Sequence, residues 1–277
     1  MSIFLDTVSN EVTGKPTAPM TESRRRSRLK GWYERHRYDF VFYRRLEKQA
    51  MMPWLSLQPG DLVCELGCFN GANARALSRR FGCTVYGLDI DQREIRLAQS
   101  YNKTEQASFV VASAEHLPFA SESFDKIYGI SVLEHFVDGQ VALRETYRCL
   151  KPGGVLVVTT DSFGLGELWQ GTQKTHCKRF FVRRYYSQLE LVGEVESAGF
   201  RVLHAEPILR HWSTGFLFEL SVHVHVVKSA AFMLLPLLRW LERAYGSRDA
   251  GYMVMVCAVK PSNPRTAGTG MKSKEGL

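Results

Sequence analysis

Between residues 60 and 160 one pattern of apolar and polar positions recurs: a short, nearly continuous apolar run, a glycine-rich or polar turn, then apolar residues at helical spacing. Val63-Cys64-Glu65-Leu66 leads through Gly67–Gly71 into a helical stretch from Ala72 to Leu77. Thr84 to Leu88, ending at Asp89, leads into a helix from Gln92 to Ser100. Ser108–Ala112 is a third run, and Ser123–Ile130 a fourth. A helix over Gly139–Leu150, closed by Lys151-Pro152-Gly153-Gly154, precedes a fifth run at Val155–Thr160. Apolar runs without alternation suit strands covered on both faces, and their alternation with helices predicts an α/β, doubly wound parallel sheet. Tyr186–Ala198 reads as another helix, Gly199–Val202 opens a sixth strand ending near Glu206, and Tyr252–Val259 reads as the last strand.

The pattern breaks between the last two strands. Residues 208–250 hold Phe216-Leu217-Phe218, the run Val222–Val227, and Ala230–Leu241 with Phe232, Leu234, Leu235, Leu238 and Trp240. Glu219, Lys228, Pro236 and Arg239 interrupt the segment, which falls short of the ~20 apolar residues that cross a bilayer. Added core on the sheet, a pocket cap or interfacial membrane anchor, and a dimer interface all fit this helical insert.

The strand ends carry the candidate chemistry. Glu65 and Asp89 each stand at the carboxyl end of an apolar run, where a fixed carboxylate can accept both hydroxyl protons of a ribose. Glycines between them let backbone approach a ligand closely. A dinucleotide loop, G-x-G-x-x-G counted from Gly67, fails twice, because Phe69 and Ala72 occupy the required positions. What stands there is E-x-G-x-x-x-G, Glu65 to Gly71. Further on come Ala114-Glu115-His116-Leu117-Pro118-Phe119, Ser123-Phe124-Asp125, Leu133-Glu134-His135 and Lys151-Pro152-Gly153-Gly154.

In this order these motifs resemble the class I S-adenosylmethionine (SAM) methyltransferases, in particular the type 11 group that includes the ubiquinone and menaquinone biosynthesis enzymes. The resemblance covers roughly residues 60 to 160. It implies a Rossmann-like, seven-stranded, mostly parallel sheet with an antiparallel last strand, and SAM as cofactor with S-adenosylhomocysteine as product. It further implies that Gly67 and Gly71 admit the methionine part, and that Glu65 orients the loop and the SAM amino group. Asp89 would take the ribose hydroxyls, Ile90 the adenine face, and Ala114 the adenine ring through its N–H. Ile130 and Ser131 would line the sulfonium end. Two positions depart from the family pattern: Phe69 replaces a usual glycine, and Ser113 replaces the acid or Asn that holds the adenine amino group. His135, following strand four, is the candidate base, with a helix-capping role as the plainer alternative.

Composition changes the picture at the N-terminus. Of a net charge of +8, most lies in residues 21–55, where ten Lys and Arg oppose four Asp and Glu among six aromatics from Trp32 to Tyr43. Residues 1–20 and 261–277 read as disordered, 21–55 as a helical lid, and 56–260 as the catalytic domain. The basic segment also fits a solvated helix face, contact with anionic lipid or, last, RNA, so nucleic acid is not an expected partner. Tyr38, Trp169 and His176 are candidate substrate-pocket residues, the latter two on a glycine-bearing aromatic and cationic stretch, Asp161–Arg184. Six scattered cysteines without a C-x-x-C pair fit packing roles in a reducing cytoplasm, and eight histidines lack ligand spacing, so no metal is expected. These features point to a cytoplasmic, optionally membrane-associated enzyme methylating a lipophilic small molecule such as a quinone precursor, lipid or secondary metabolite. Methylation of tRNA or protein and a non-catalytic SAM-fold binding protein are the rivals. The sequence leaves the oligomeric state open.

Overall fold

The structure, a computed structural model, describes residues 40–102 and 106–262. Tyr38, the stretch 1–39 and the tail beyond 262 lie outside the described residues. Seven strands form one sheet: β1 (Leu62–Leu66), β2 (Thr84–Asp89), β3 (Ala107–Val111), β4 (Phe124–Gly129), β5 (Leu150–Asp161), β6 (Arg201–Ile208) and β7 (Met253–Val259). Their order is β3-β2-β1-β4-β5-β7-β6. The first five pair in parallel, while β7 runs antiparallel to both β5 and β6. This is the expected Rossmann-like sheet. Chain order reverses between β1 and β4, and ligands of such sheets bind beyond the strand ends at that switch point.

Helices cover both faces: α1 (Phe42–Leu55), α2 (Ala72–Phe81), α3 (Gln92–Tyr101), α4 (Gly139–Cys149), α5 (Thr172–Phe180) and α6 (Gln188–Ser197). One apolar cluster joins α1, α2 and α3 to one sheet face through Phe42, Met51, Leu55, Ala74 and Ile95. A second joins α4 and α6 to the other through Leu143, Cys149, Leu191 and Val195. In α1 the buried positions Phe42, Leu46, Glu47, Met51 and Leu55 make one stripe, apolar apart from Glu47.

The insert folds as α7 (Trp212–His223), α8 (Val227–Ala230), a 3-10 turn (Ala231–Leu234) and α9 (Leu235–Tyr245). Its first helix is core. Phe218 is buried in edge or tilted contact with Tyr43, Phe163, His176 and Tyr252. Glu219, fully buried, accepts from the N–H groups of Leu168 (2.7 Å) and Trp169 (3.1 Å) and from the Tyr252 hydroxyl. The insert therefore fixes the chain that follows β5. Its later part is different: Met233, Leu237 and Trp240 are 82%, 51% and 55% exposed. Among the described residues no helix is long and apolar enough to cross a membrane.

Candidate active site

The loop from Gly67 to Gly71 crosses the switch point and is tied down from three sides. Cys68 N–H donates to Leu88 O (2.8 Å), Phe69 N–H to Asp89 Oδ2 (2.9 Å), and Arg75 Nη1 to Asn70 O (2.6 Å). Gly71 starts α2 at φ 69°, and a Cβ there would sit 2.3 Å from the Phe109 ring, so glycine is required twice over. Phe69 also has positive φ, 47°, a conformation costing an L-residue about 1–2 kcal/mol. That explains why glycine suits this position in the related family, and the ring stands partly exposed at the loop tip.

Asp89 ends β2. Its other oxygen, Oδ1, accepts from Asp91 N–H (2.9 Å), so the carboxylate is aimed by backbone on both sides. Burial raises its pKa, with the amides of Asp91 and Phe69 pulling it back. Ile90 beside it is 77% exposed, an open apolar face. Across the sheet edge, Ala114 is buried, and the Ser113 hydroxyl accepts from Glu115 N–H (3.1 Å) in a local turn.

Glu65, the penultimate residue of β1, lines the small cavity under the loop. Its Oε1 accepts from the Asn73 side chain (3.2 Å), while the buried Oε2 faces the Tyr128 hydroxyl without a well-formed hydrogen bond. Burial pushes its pKa up to about 7, offset in part by the Asn73 and Tyr128 side chains and then by the Lys48 charge. An unsatisfied buried acceptor at a strand end is costly and suits a site that a cation completes. Arg44 and Lys48 of α1 line the same cavity, which measures only about 30 Å³, room for a water or two rather than an amino acid. A larger group can enter only if this lining opens.

At the ends of β4 and β5 the structure joins Ser131 and Ile130 to acids that have no role assigned from the sequence. Glu47 of α1, fully buried, accepts from the Ser131 hydroxyl (2.6 Å), the Thr159 hydroxyl (2.8 Å) and Arg44 (3.0 Å). Ser131 itself has φ 44°, and its N–H donates to Thr159 Oγ1 (2.8 Å). Ile130 lines the small cavity. Nearby, Glu134 accepts from Thr160 (2.9 Å), and burial together with Asp161 raises its pKa well above the carboxylate range. Asp161 is raised as well, again by burial, with Arg44 opposing. These acids of α1, β5 and the 3-10 turn Leu133–His135 lack a periodic signature, although Glu134 sits within the L-E-H motif.

The other candidates are spread around this cluster. His135 is half-buried, its Nδ1 3.4 Å from Phe181 O and its Nε2 3.9 Å from Glu134 Oε1. Burial lowers its pKa, so the ring is neutral at pH 7. His176 is buried, with Nδ1 3.0 Å from the Tyr185 hydroxyl and Nε2 3.7 Å from Asp161. Burial lowers it to about 3, so this imidazole stays neutral and packs as core. Trp169 is partly exposed and lies against Phe216 of the insert, with 5.1 Å between rings. The site thus brings Glu65, Gly67, Gly71, Asp89, Ile130 and Ser131 to one sheet edge, while Trp169 belongs to the loop–insert contact.

Residues 64–158 match the family model described as "Methyltransferase domain". Over these residues the chain carries a methyltransferase domain. This domain is 36% identical over 106 residues to the sterol 24-C-methyltransferase of Saccharomyces cerevisiae, a match spanning 37% of this chain and 28% of that protein. It is 34% identical over 113 residues to the 2-methyl-6-phytyl-1,4-hydroquinone methyltransferase of Synechocystis, spanning 39% of this chain and 36% of that one. Such matches cover well under half the length of the curated relatives. The methyltransferase fold extends further: a phosphoethanolamine N-methyltransferase 2 of Haemonchus contortus in complex with SAM superposes over 78% of this chain and 52% of its own, with a TM-score of 0.60 at 19% identity.

Proposed function

We propose that the protein transfers the methyl group of SAM to a lipophilic small molecule. The observation that carries the cofactor half is the pair of strand-end acids, Glu65 with an unsatisfied buried oxygen and Asp89 aimed by two backbone amides, on either side of the glycine loop. SAM supplies an already activated methyl sulfonium, so the protein's task is to orient donor and acceptor and to take a proton where the acceptor carries one. Glu65 receives the amino group, Gly67 and Gly71 admit the methionine backbone, Asp89 holds the ribose diol, and Ile90 and Ala114 flank adenine. Ser131 acts by position: with its hydroxyl held by Glu47, it fixes α1 beside the sulfonium end lined by Ile130. The segment 42–55 is then the described part of a lid, with Lys48 as the side chain that moves. The lipophilic half of the reading is supported by the apolar surface of the insert and by the sterol and hydroquinone named for the two relatives.

The test is transfer of label from methyl-labelled SAM into an extract of the source cells. Label is expected in the organic-soluble fraction; label confined to RNA or protein would overturn the lipophilic acceptor, and no transfer at all would overturn the enzyme.

His135, neutral and in the 3-10 turn that follows β4, would be the group that accepts the acceptor's proton. His135→Ala should lower turnover about tenfold or more with SAM affinity unchanged; unaltered turnover removes it from the reaction.

Glu65 sets a pH dependence. An acid whose folded pKa is raised keeps its proton longer in the native state, so its contribution to stability is present below about pH 4.5 and fades as pH rises to about 7. Binding the SAM ammonium needs the opposite form, the carboxylate. Affinity for SAM should therefore fall by up to about tenfold per unit as pH drops from 7 to 5.5. Calorimetric titration of Glu65→Gln should show weaker but nearly pH-independent binding, and a parallel decline in both proteins would remove Glu65 as the cause.

A further inference from the structure

A cavity of about 580 Å³ lies between α1 and α2, outside the glycine loop. That is within the range of small-molecule sites. It borders the cavity under the loop, sharing the lining residues Lys48, Asn73 and Ile130, the last of which is assigned above to the sulfonium end. Its walls are apolar, formed by Met51, Met52, Leu55, Leu77, Phe81 and Ile130. Its charged lining is all of one sign: Arg45, Lys48, Arg80 and Arg239, with no acidic residue among the lining groups. The Arg239 Nε donates to Gln49 Oε1 (2.5 Å), which holds the α9 cation over α1.

Apolar walls alone would fit any lipophile, and cations alone any anion. Together they fit one molecule with both parts. We propose that this cavity is the acceptor site and that it takes a single-chain anionic amphiphile, its chain among the Met, Leu and Phe side chains and its acid head against the arginines and Lys48. The proposal rests on the methyl-transfer reading for the word acceptor, and on the cavity for the ligand. A desolvated anion gains most from Arg, whose fixed fork matches carboxylate and phosphate oxygens. The exposed Leu237 and Trp240 flank Arg239 on α9 and offer the chain an apolar approach to the cavity.

The probe is dodecyl phosphate below its micelle concentration, titrated into the full-length protein and compared with dodecanol and dodecyltrimethylammonium. Dodecyl phosphate should bind at least about tenfold more tightly than either. Leu77→Trp, which fills the cavity, should abolish that binding. The double variant Arg45→Gln/Arg80→Gln, on exposed cations, should reduce dodecyl phosphate affinity about tenfold and leave dodecanol unaffected. Equal binding of the three probes, or binding that survives Leu77→Trp, overturns the proposal. So does binding to anionic vesicles without binding of the monomer, which would place the anion on the outer surface. Titration of S-adenosylhomocysteine on the same samples separates the two readings. Intact binding of that product with no amphiphile bound sinks the cavity proposal alone. Amphiphile binding without it supports the cavity and sinks methyl transfer.

Discussion

Replacing Asp89 by alanine is expected to weaken SAM binding at least about 100-fold, because two hydrogen bonds to a charged acceptor contribute about 1.5–3 kcal/mol each. The substitution acts at two levels. It removes the carboxylate that would hold the ribose, and it strands the N–H groups of Phe69 and Asp91, which donate to it at 2.9 Å. A cycle separates these effects: the wild type should bind the 2′-deoxyribose form of S-adenosylhomocysteine about tenfold more weakly than the parent, whereas Asp89→Ala should not discriminate. A variant that still prefers the 2′-hydroxyl would refute the ribose contact, and unchanged SAM affinity would refute the site.

The second large effect is expected at Glu47. This carboxylate is fully buried and gathers Arg44, Ser131 and Thr159, so alanine leaves a guanidinium and two hydroxyls without their acceptor. Breaking a buried pair by deleting one partner costs about 3–5 kcal/mol, and the lower end applies because Arg44 keeps some contact with water and feels Asp161 as well. For a chain of this size that corresponds to a fall in Tm of about 6–12 °C. Scanning calorimetry of Glu47→Ala checks it. Glu47→Gln, which still accepts from Ser131 and Thr159, should lose less. A Tm within about 2 °C of wild type would show that α1 does not depend on this contact.

The sheet was legible because its strands are covered on both faces. Val63–Leu66, Thr84–Leu88 and Val155–Thr160 are apolar without alternation, and glycine turns separate them from helices. The acids at the strand ends were legible for the same reason: an isolated carboxylate that closes an apolar run has no packing explanation. Phe69 looked like a departure in the loop, and its left-handed backbone shows what the departure costs. The readings of the insert could be weighed only in three dimensions. One helix, α7, buries Phe218 and Glu219 against the chain after β5, while α9 turns Leu237 and Trp240 outward.

By itself, then, the sequence determined the order of strands and helices, the glycine loop and the acids beside it, since each of these is written in local spacing. The tertiary structure decided the rest of the site. Glu47 looks like one acid in a basic helix until the fold brings it to Ser131, 84 residues away, and Thr159, 112 residues away. The cavity between α1 and α2 likewise joins Arg45, Arg80 and Arg239 from three separate segments. Periodicity reports only which face of an element is buried, whereas a buried charge is stable only beside partners that distant parts of the chain supply.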